Sequence, residues 1–131
     1  LSKKVAEGAD ALVFDVKCGS GAFMKSPADA ELLANSLVKT AHSMGKKASA
    51  LITGMDSPLG RKIGNFLEIE ETIDCLKGAG PADVMGLTYA LGAEMLVLGG
   101  KAQDKDEGAA LYKEAVSSGR ALEKFFTKLI F

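Results

Sequence analysis

Two glycine-containing loops hold the residues of this sequence that could bind a ligand. The first contains KCGSGAFM at 17–24, where Gly19 and Gly21 allow a sharp turn or a close approach of a ligand to the backbone. Phe23, beside this turn, could lie flat against the ring of a ligand. No Gly-Lys-Ser/Thr follows the glycines, so the loop is not a P-loop, and a plain strand-to-helix turn stays open as the alternative to a binding site.

The second loop, GMDSPLG at 54–60, leads into an acidic segment. Glu68, Glu70, Glu71 and Asp74 follow it closely and could bind a cation through their oxygens. The alternative is that carboxylates near the start of a helix complement the helix dipole. Spacing alone favours the dipole interpretation.

The remaining side chains capable of chemistry are isolated from one another. The only histidine, His42, falls on the polar side of a predicted helix, and spacing pairs no Ser or Cys nucleophile with it, so we expect a surface residue. Cys18 and Cys75 form neither a metal-binding spacing nor a redox pair, which predicts free thiols. By its spacing, Lys3 is one solvated lysine among many.

The elements that must position these loops follow from hydrophobic periodicity. Apolar stretches at 11–16 and 48–53 predict two strands around a helix that begins at Ser26-Pro27 and ends at Gly45. This order is a βαβ unit, and both loops follow the carboxyl end of a strand, where open α/β sheets bind ligands. The fold class is therefore α/β: a βαβ unit of a mostly parallel sheet flanked by helices, followed by a helical second half.

Helical spacing predicts further helices at 1–8, after a capping box formed by Asn65 and Glu68, after Gly80-Pro81, at 104–118 and at 121–131. The side chains expected on the inward faces of all the helices are Leu1, Val5, Ala6, Leu33, Leu37, Ala41, Met44, Ile69, Ile73, Leu76, Val84, Leu87, Leu91, Met95, Leu98, Leu122, Phe125, Phe126 and Leu129.

Composition limits the possible partners. The 131 residues carry a net charge of −1 and are 47% apolar, so neither nucleic acid nor an anionic membrane is expected as a partner. No apolar run is long enough to span a bilayer and no signal peptide is present, which predicts a cytoplasmic protein. The chain begins at Leu1 without a methionine and stops in an apolar run, so we expect a piece of a longer protein, with 1–131 forming one partial α/β domain.

Three segments, in order, resemble one family. SKK followed by EG at 2–8, DVKCGSGAF at 15–23 and MDSPLGRKIGN at 55–65 are similar to the pyrimidine-nucleoside phosphorylases, which include thymidine phosphorylase. The resemblance covers essentially the whole chain and implies that the chain is the central part of a larger α/β domain. It implies reversible phosphorolysis of pyrimidine (deoxy)nucleosides in nucleotide salvage, with phosphate as co-substrate and no organic cofactor. It also implies a homodimer.

The resemblance also implies roles for individual residues. Lys3 matches the family lysine that donates to a carbonyl of the pyrimidine, which makes it a catalytic and substrate-binding residue, because an ammonium there would stabilise the negative charge of the leaving base. Phe23 matches a position lining the base pocket. Leu59 and Lys62, by backbone carbonyls, and Glu71, by its carboxylate, match ligands of a potassium or calcium ion in some members.

The sequence also departs from the family pattern. Gly54 stands where members usually carry Asp. The phosphate-binding segment and the remaining base-binding residues of the family correspond to positions before Leu1, so the chain alone is expected to be inactive. An anthranilate phosphoribosyltransferase-like enzyme and a non-catalytic stand-alone binding module stay open as alternatives, as does the choice between thymidine and uridine.

Overall fold

A computed structural model describes residues 2–129 of the chain. Its elements, in order, are α1 (Ser2–Ala6), β1 (Ala11–Cys18), α2 (Pro27–Ser43), β2 (Lys47–Gly54), α3 (Asn65–Leu76), α4 (Ala82–Leu98), α5 (Lys105–Ser117) and α6 (Arg120–Leu129). The predicted α/β class and the helical second half are confirmed.

Strands β1 and β2 form a parallel pair, as the βαβ prediction requires. Their register runs from Ala11 opposite Lys47 to Cys18 opposite Gly54. Both strands extend slightly beyond the predicted limits, and they end level with each other. The two glycine-containing loops therefore leave the sheet side by side.

Helix α2 covers one face of the pair. Its predicted cap is confirmed, because the Ser26 hydroxyl accepts the Asp29 N–H at 3.2 Å. Two small residues of α2, Ala30 and Ala34, are buried against Val16 of β1. Their methyl groups let the helix backbone lie close to the strand, whereas Leu33, which was expected to face inward, is exposed.

Helix α4 packs against both strands on the other face, where its residues share cavities with Val13 and Leu51. Its contact with α5 is close because glycine lies on each helix. A Cβ on Gly92 would be 2.3 Å from the Tyr112 ring, and one on Gly108 would be 2.9 Å from the Ala93 carbonyl oxygen. The buried residues of α4 are Gly92, Ala93 and Glu94.

Several side chains that were predicted to face inward are exposed instead. Met95 is 56% exposed, and Ala6, Met44, Ile69 and Phe126 are also exposed. These side chains lie on parts of the chain that the described elements leave uncovered; α6, which carries Phe126, packs against α5 and α3 and not over the sheet. Leu1 and the side chains of Val5 and Leu129 lie outside the described residues.

The predicted start of α3 is displaced by one residue. Gly64 is the residue before the helix and Asn65 is its first helical residue, so Asn65 does not act as the cap. Glu68 nevertheless closes the first turn, because its carboxylate accepts the Gly64 N–H at 3.1 Å. Within residues 2–129, no helix combines the length and the apolar character needed to cross a bilayer.

Candidate functional site

The loops that follow β1 and β2 are joined by backbone hydrogen bonds at the carboxyl ends of the strands. The Met55 N–H donates to the Cys18 carbonyl at 2.7 Å, and the Gly21 N–H donates to the Met55 carbonyl at 2.8 Å. We call residues 19–24 the glycine loop and residues 55–60 the second loop. Sequence reasoning placed both loops at this edge of the sheet, and the structure confirms it.

Phe23 projects from the glycine loop with 98% of its surface exposed. It stands beside an open cavity of about 470 Å³ whose walls are mainly apolar. Met24, Leu33, Leu37 and Met55 contribute to these walls. An exposed aromatic ring over an apolar cavity can hold the flat ring of a ligand between two surfaces. This geometry is compatible with the role expected for Phe23.

Lys3 lies on α1 and is exposed. It is not among the residues that line the cavity beside Phe23. The described part of the chain therefore places Lys3 and Phe23 on separate elements without bringing them to one cavity. The role of Lys3 stays a prediction.

A polar trio that sequence reasoning missed lies at the carboxyl ends of the strands. The Lys17 ammonium is 2.8 Å from the Asp15 carboxylate and donates to the Thr53 hydroxyl at 2.9 Å, and that hydroxyl donates to Asp15. Two charges spaced by two residues in an otherwise apolar strand share a face, and Thr53 is in register with Lys17. That spacing is the sequence feature that could have indicated the trio. The trio ties the ends of β1 and β2 together directly below the two loops.

The three residues predicted to bind a cation line one cavity. Leu59, Lys62 and Glu71 all border a space of about 350 Å³ between the end of the second loop and α3. Glu71 is buried, and its Oε1 accepts the Arg61 N–H at 2.9 Å. Its other oxygen lies against Gly60, where a Cβ would overlap it. A carboxylate oxygen is a ligand that suits a hard cation, and Glu71 is the buried carboxylate at this cavity.

Each carboxylate of the acidic segment has a partner within the protein. The Lys62 ammonium lies 3.3 Å from Asp74 and 3.6 Å from Glu70, and its hydrogen bond to Asp74 raises the pKa of the Lys62 ammonium. Glu68 caps α3 and Glu71 holds the loop. Within residues 2–129, no group of three or more His, Cys, Asp or Glu side chains is arranged to hold a metal ion. A cation here would therefore need backbone oxygens.

A second carboxylate from the helical half holds the same loop. Asp83, in the first turn of α4, accepts the Gly60 N–H at 3.0 Å and the Val84 N–H at 2.9 Å. The hydrogen bond from Gly60 is the main cause that lowers the pKa of the Asp83 carboxyl. The segment 60–62 is thus clamped between α3 and α4. Sequence reasoning missed Asp83, which has no distinguishing spacing.

The remaining isolated residues lie as expected. His42 is exposed on α2, and Cys18 and Cys75 are free thiols. Burial, followed by the negative charges of Glu71 and Asp74, raises the pKa of the Cys75 thiol. The neutral form of that thiol is therefore favoured, which is the opposite of what a nucleophile needs.

Comparison with known proteins finds one matching family and several similar proteins. The profile described as "Glycosyl transferase family, a/b domain" matches residues 1–122. The chain is 54% identical over 127 residues to proteins called pyrimidine-nucleoside phosphorylase from Staphylococcus aureus strains USA300 and COL. The match covers 97% of this chain and 29% of each relative. The chain thus spans less than a third of the length of these relatives.

Proposed function

The chain belongs to the glycosyl transferase family with this α/β domain, and from that premise we propose that it forms part of a pyrimidine-nucleoside phosphorylase. The observation that carries the proposal is the 54% identity, over 97% of the chain, to a protein called pyrimidine-nucleoside phosphorylase. The two joined loops and the cavity beside Phe23 support it, because they put an apolar space with room for a pyrimidine ring at the edge of the sheet where ligands bind.

The proposed reaction is phosphorolysis of a pyrimidine nucleoside or deoxynucleoside. An oxygen of inorganic phosphate bonds to the anomeric carbon of the sugar, and the bond from that carbon to the base nitrogen breaks. The bonding electrons leave with the base, which becomes an anion until it gains a proton. The products are the free base and the sugar 1-phosphate, and no organic cofactor takes part.

Lys3 is proposed to donate a hydrogen bond to a carbonyl oxygen of the base. Its positive charge would stabilise the anion that forms as the base departs, an effect that grows during the reaction and therefore lowers the barrier. Lys3 is exposed on α1, whereas the ammonium of its neighbour Lys4 is 3.0 Å from the Glu7 carboxylate. Lys4 therefore serves as a matched control for charge and position in sequence.

Phe23 is proposed to lie against the face of the pyrimidine ring. Its side chain has almost no contacts of its own, so a base stacked on it would cover apolar surface that is now in water. Such a contact acts on binding more than on chemistry, because it is similar in the ground state and the transition state.

Leu59, Lys62 and Glu71 are proposed to hold a potassium or calcium ion. The Glu71 carboxylate would supply the charge, and the carbonyls of Leu59 and Lys62 would supply neutral oxygens. The Lys62 ammonium is paired with Asp74 and Glu70, so these two carboxylates balance its positive charge. A cation there would tie the second loop to α3.

The remaining properties of the whole protein are proposed on the family resemblance alone. They are a homodimer, a cytoplasmic location and a role in nucleoside salvage.

A chimera tests the proposal in a full-length setting. In the Staphylococcus aureus enzyme, the stretch that matches this chain is replaced by this chain, and phosphate-dependent base release is measured. We expect activity, and we expect Lys3→Ala to lower kcat by about two to three decades, the usual effect of removing one donor to a developing anion. Lys4→Ala should leave kcat within about twofold, as expected for a surface residue whose ion pair contributes little. A folded but inactive chimera would contradict the proposed function, and equal effects of the two variants would contradict the role of Lys3.

A further inference from the structure

One side chain connects the second loop to the glycine loop. The Asp56 Oδ1 accepts the Ser20 N–H at 2.8 Å, and the Asp56 backbone carbonyl accepts the Ser20 hydroxyl at 3.4 Å. The neighbouring contacts between these loops are made by backbone groups. Asp56 is thus the side chain through which the second loop holds the glycine loop. The Lys25 ammonium, from the residue that follows the glycine loop, also donates to the Ser20 carbonyl at 2.7 Å.

The glycine loop is shaped to receive this carboxylate. Gly19 has a φ of +138°, and a Cβ at this position would lie 2.7 Å from the Asp56 Oδ1. A Cβ on Gly21 would be 2.7 Å from the Met55 carbonyl oxygen. Both glycines are therefore needed for the second loop to approach so closely. The carboxylate lies in the space that a side chain at position 19 would fill.

The same loop carries Phe23. Within the loop, the Ala22 N–H donates to the Gly19 carbonyl at 3.0 Å, and the Gly19 N–H donates to the Met24 carbonyl at 3.0 Å. These bonds make the loop one compact turn, with Ala22 buried beneath it. Because the Phe23 side chain is almost wholly exposed, its position over the cavity follows from the loop backbone and not from packing of its own.

We propose that Asp56 is the positioning residue of the glycine loop. By holding this loop, Asp56 places Phe23 at the apolar cavity beside it and thereby controls the affinity for the nucleoside. This inference rests on the proposed function, in which Phe23 contacts the base. Asp56 accepts a hydrogen bond from a backbone amide and needs only an oxygen to do so. Asparagine can therefore replace it and alanine cannot.

The test uses the chimera described above and measures the KM for nucleoside, the KM for phosphate and kcat. We expect Asp56→Ala to raise the KM for nucleoside about three- to tenfold, the factor that corresponds to the net loss of one hydrogen bond. The KM for phosphate should stay within about twofold. Asp56→Asn should restore the nucleoside KM, and Ser57→Ala, an exposed neighbour in the same loop, should not change it.

A double-variant cycle tests the route through Phe23. If Asp56 acts through that ring, Asp56→Ala should change the nucleoside KM by less than about twofold once Phe23→Ala is already present. Additive effects of the two substitutions would overturn the inference. An unchanged nucleoside KM in Asp56→Ala would overturn it as well.

Amide hydrogen exchange supplies a readout that needs no activity. In Asp56→Ala, exchange of the peptide covering 18–24 should accelerate, while Asp56→Asn and Ser57→Ala should match the unmodified chimera. An inactive chimera would count against the proposed function. Unchanged exchange in Asp56→Ala would count against the positioning role of Asp56, whether or not the chimera is active. If Asp56→Ala fails to fold, exchange will be faster throughout the chain. The comparison of Asp56→Asn with the unmodified chimera then tests the inference. The inference requires that these two proteins have equal exchange at 18–24 and equal KM for nucleoside, and a difference in either would overturn it.

Discussion

Replacing Gly92 by alanine should destabilise the chain, although the same change at Gly86 in the same helix should stabilise it. Both glycines lie inside α4, where alanine is intrinsically better than glycine by about 0.8–1.0 kcal/mol. A Cβ on Gly86 meets nothing within 4 Å, whereas one on Gly92 would be 2.3 Å from the Tyr112 ring. Overpacking of this kind costs about 1–3 kcal/mol.

The difference between the two variants isolates the steric effect. We expect Gly86→Ala to be more stable than Gly92→Ala by about 1–3 kcal/mol, because the gain in helix propensity is common to both. Urea unfolding followed by far-UV circular dichroism would measure it. Shortening the facing side chain with Tyr112→Ala should remove the penalty at Gly92. Equal stabilisation by the two alanines would refute the close α4–α5 contact.

Three further predictions concern the loops. Because the pKa of the Asp83 carboxyl is lowered in the folded state, Asp83 stabilises the chain above about pH 4 and loses this effect as the pH falls. The free energy of unfolding in urea should therefore fall less between about pH 5 and 3 in Asp83→Asn than in the unmodified chain. Gly54→Ala should raise the unfolding free energy by about 0.4–1 kcal/mol, because its Cβ meets nothing within 4 Å and its φ is not left-handed, whereas Gly19→Ala should lower it. In the chimera, potassium or calcium should raise the melting temperature, and Glu71→Gln should reduce that shift; an equal shift in both proteins would exclude Glu71 as a ligand.

The strands and the loop positions could be predicted from the sequence because local signals coincide there. Apolar runs, glycines and the Ser26-Pro27 start all act within a few residues, and the structure agrees with them. The inward faces of the helices could not be predicted equally well. Burial of Met95 or Phe126 depends on which surfaces are available to cover them, and periodicity carries no information about that.

The candidate site was predictable in its location and not in its connections. The glycine loop and Phe23 stand out in the sequence, but Asp56 and Asp83 become important only because the fold brings backbone N–H groups of distant residues to them. A carboxylate that accepts a backbone hydrogen bond over a long sequence separation has no local pattern. The roles of Lys3 and of the cation ligands came from the family resemblance.

The identity of the sugar product tests the central claim most directly. The chimera is incubated with thymidine or uridine, with and without phosphate, and the products are followed by phosphorus NMR and by separation of the free base. We predict that base and sugar 1-phosphate appear together in equal amounts and that neither appears without phosphate. Release of base with free sugar, independent of phosphate, would contradict phosphorolysis, and a folded chimera that releases no base would contradict the assignment of this chain to a working phosphorylase.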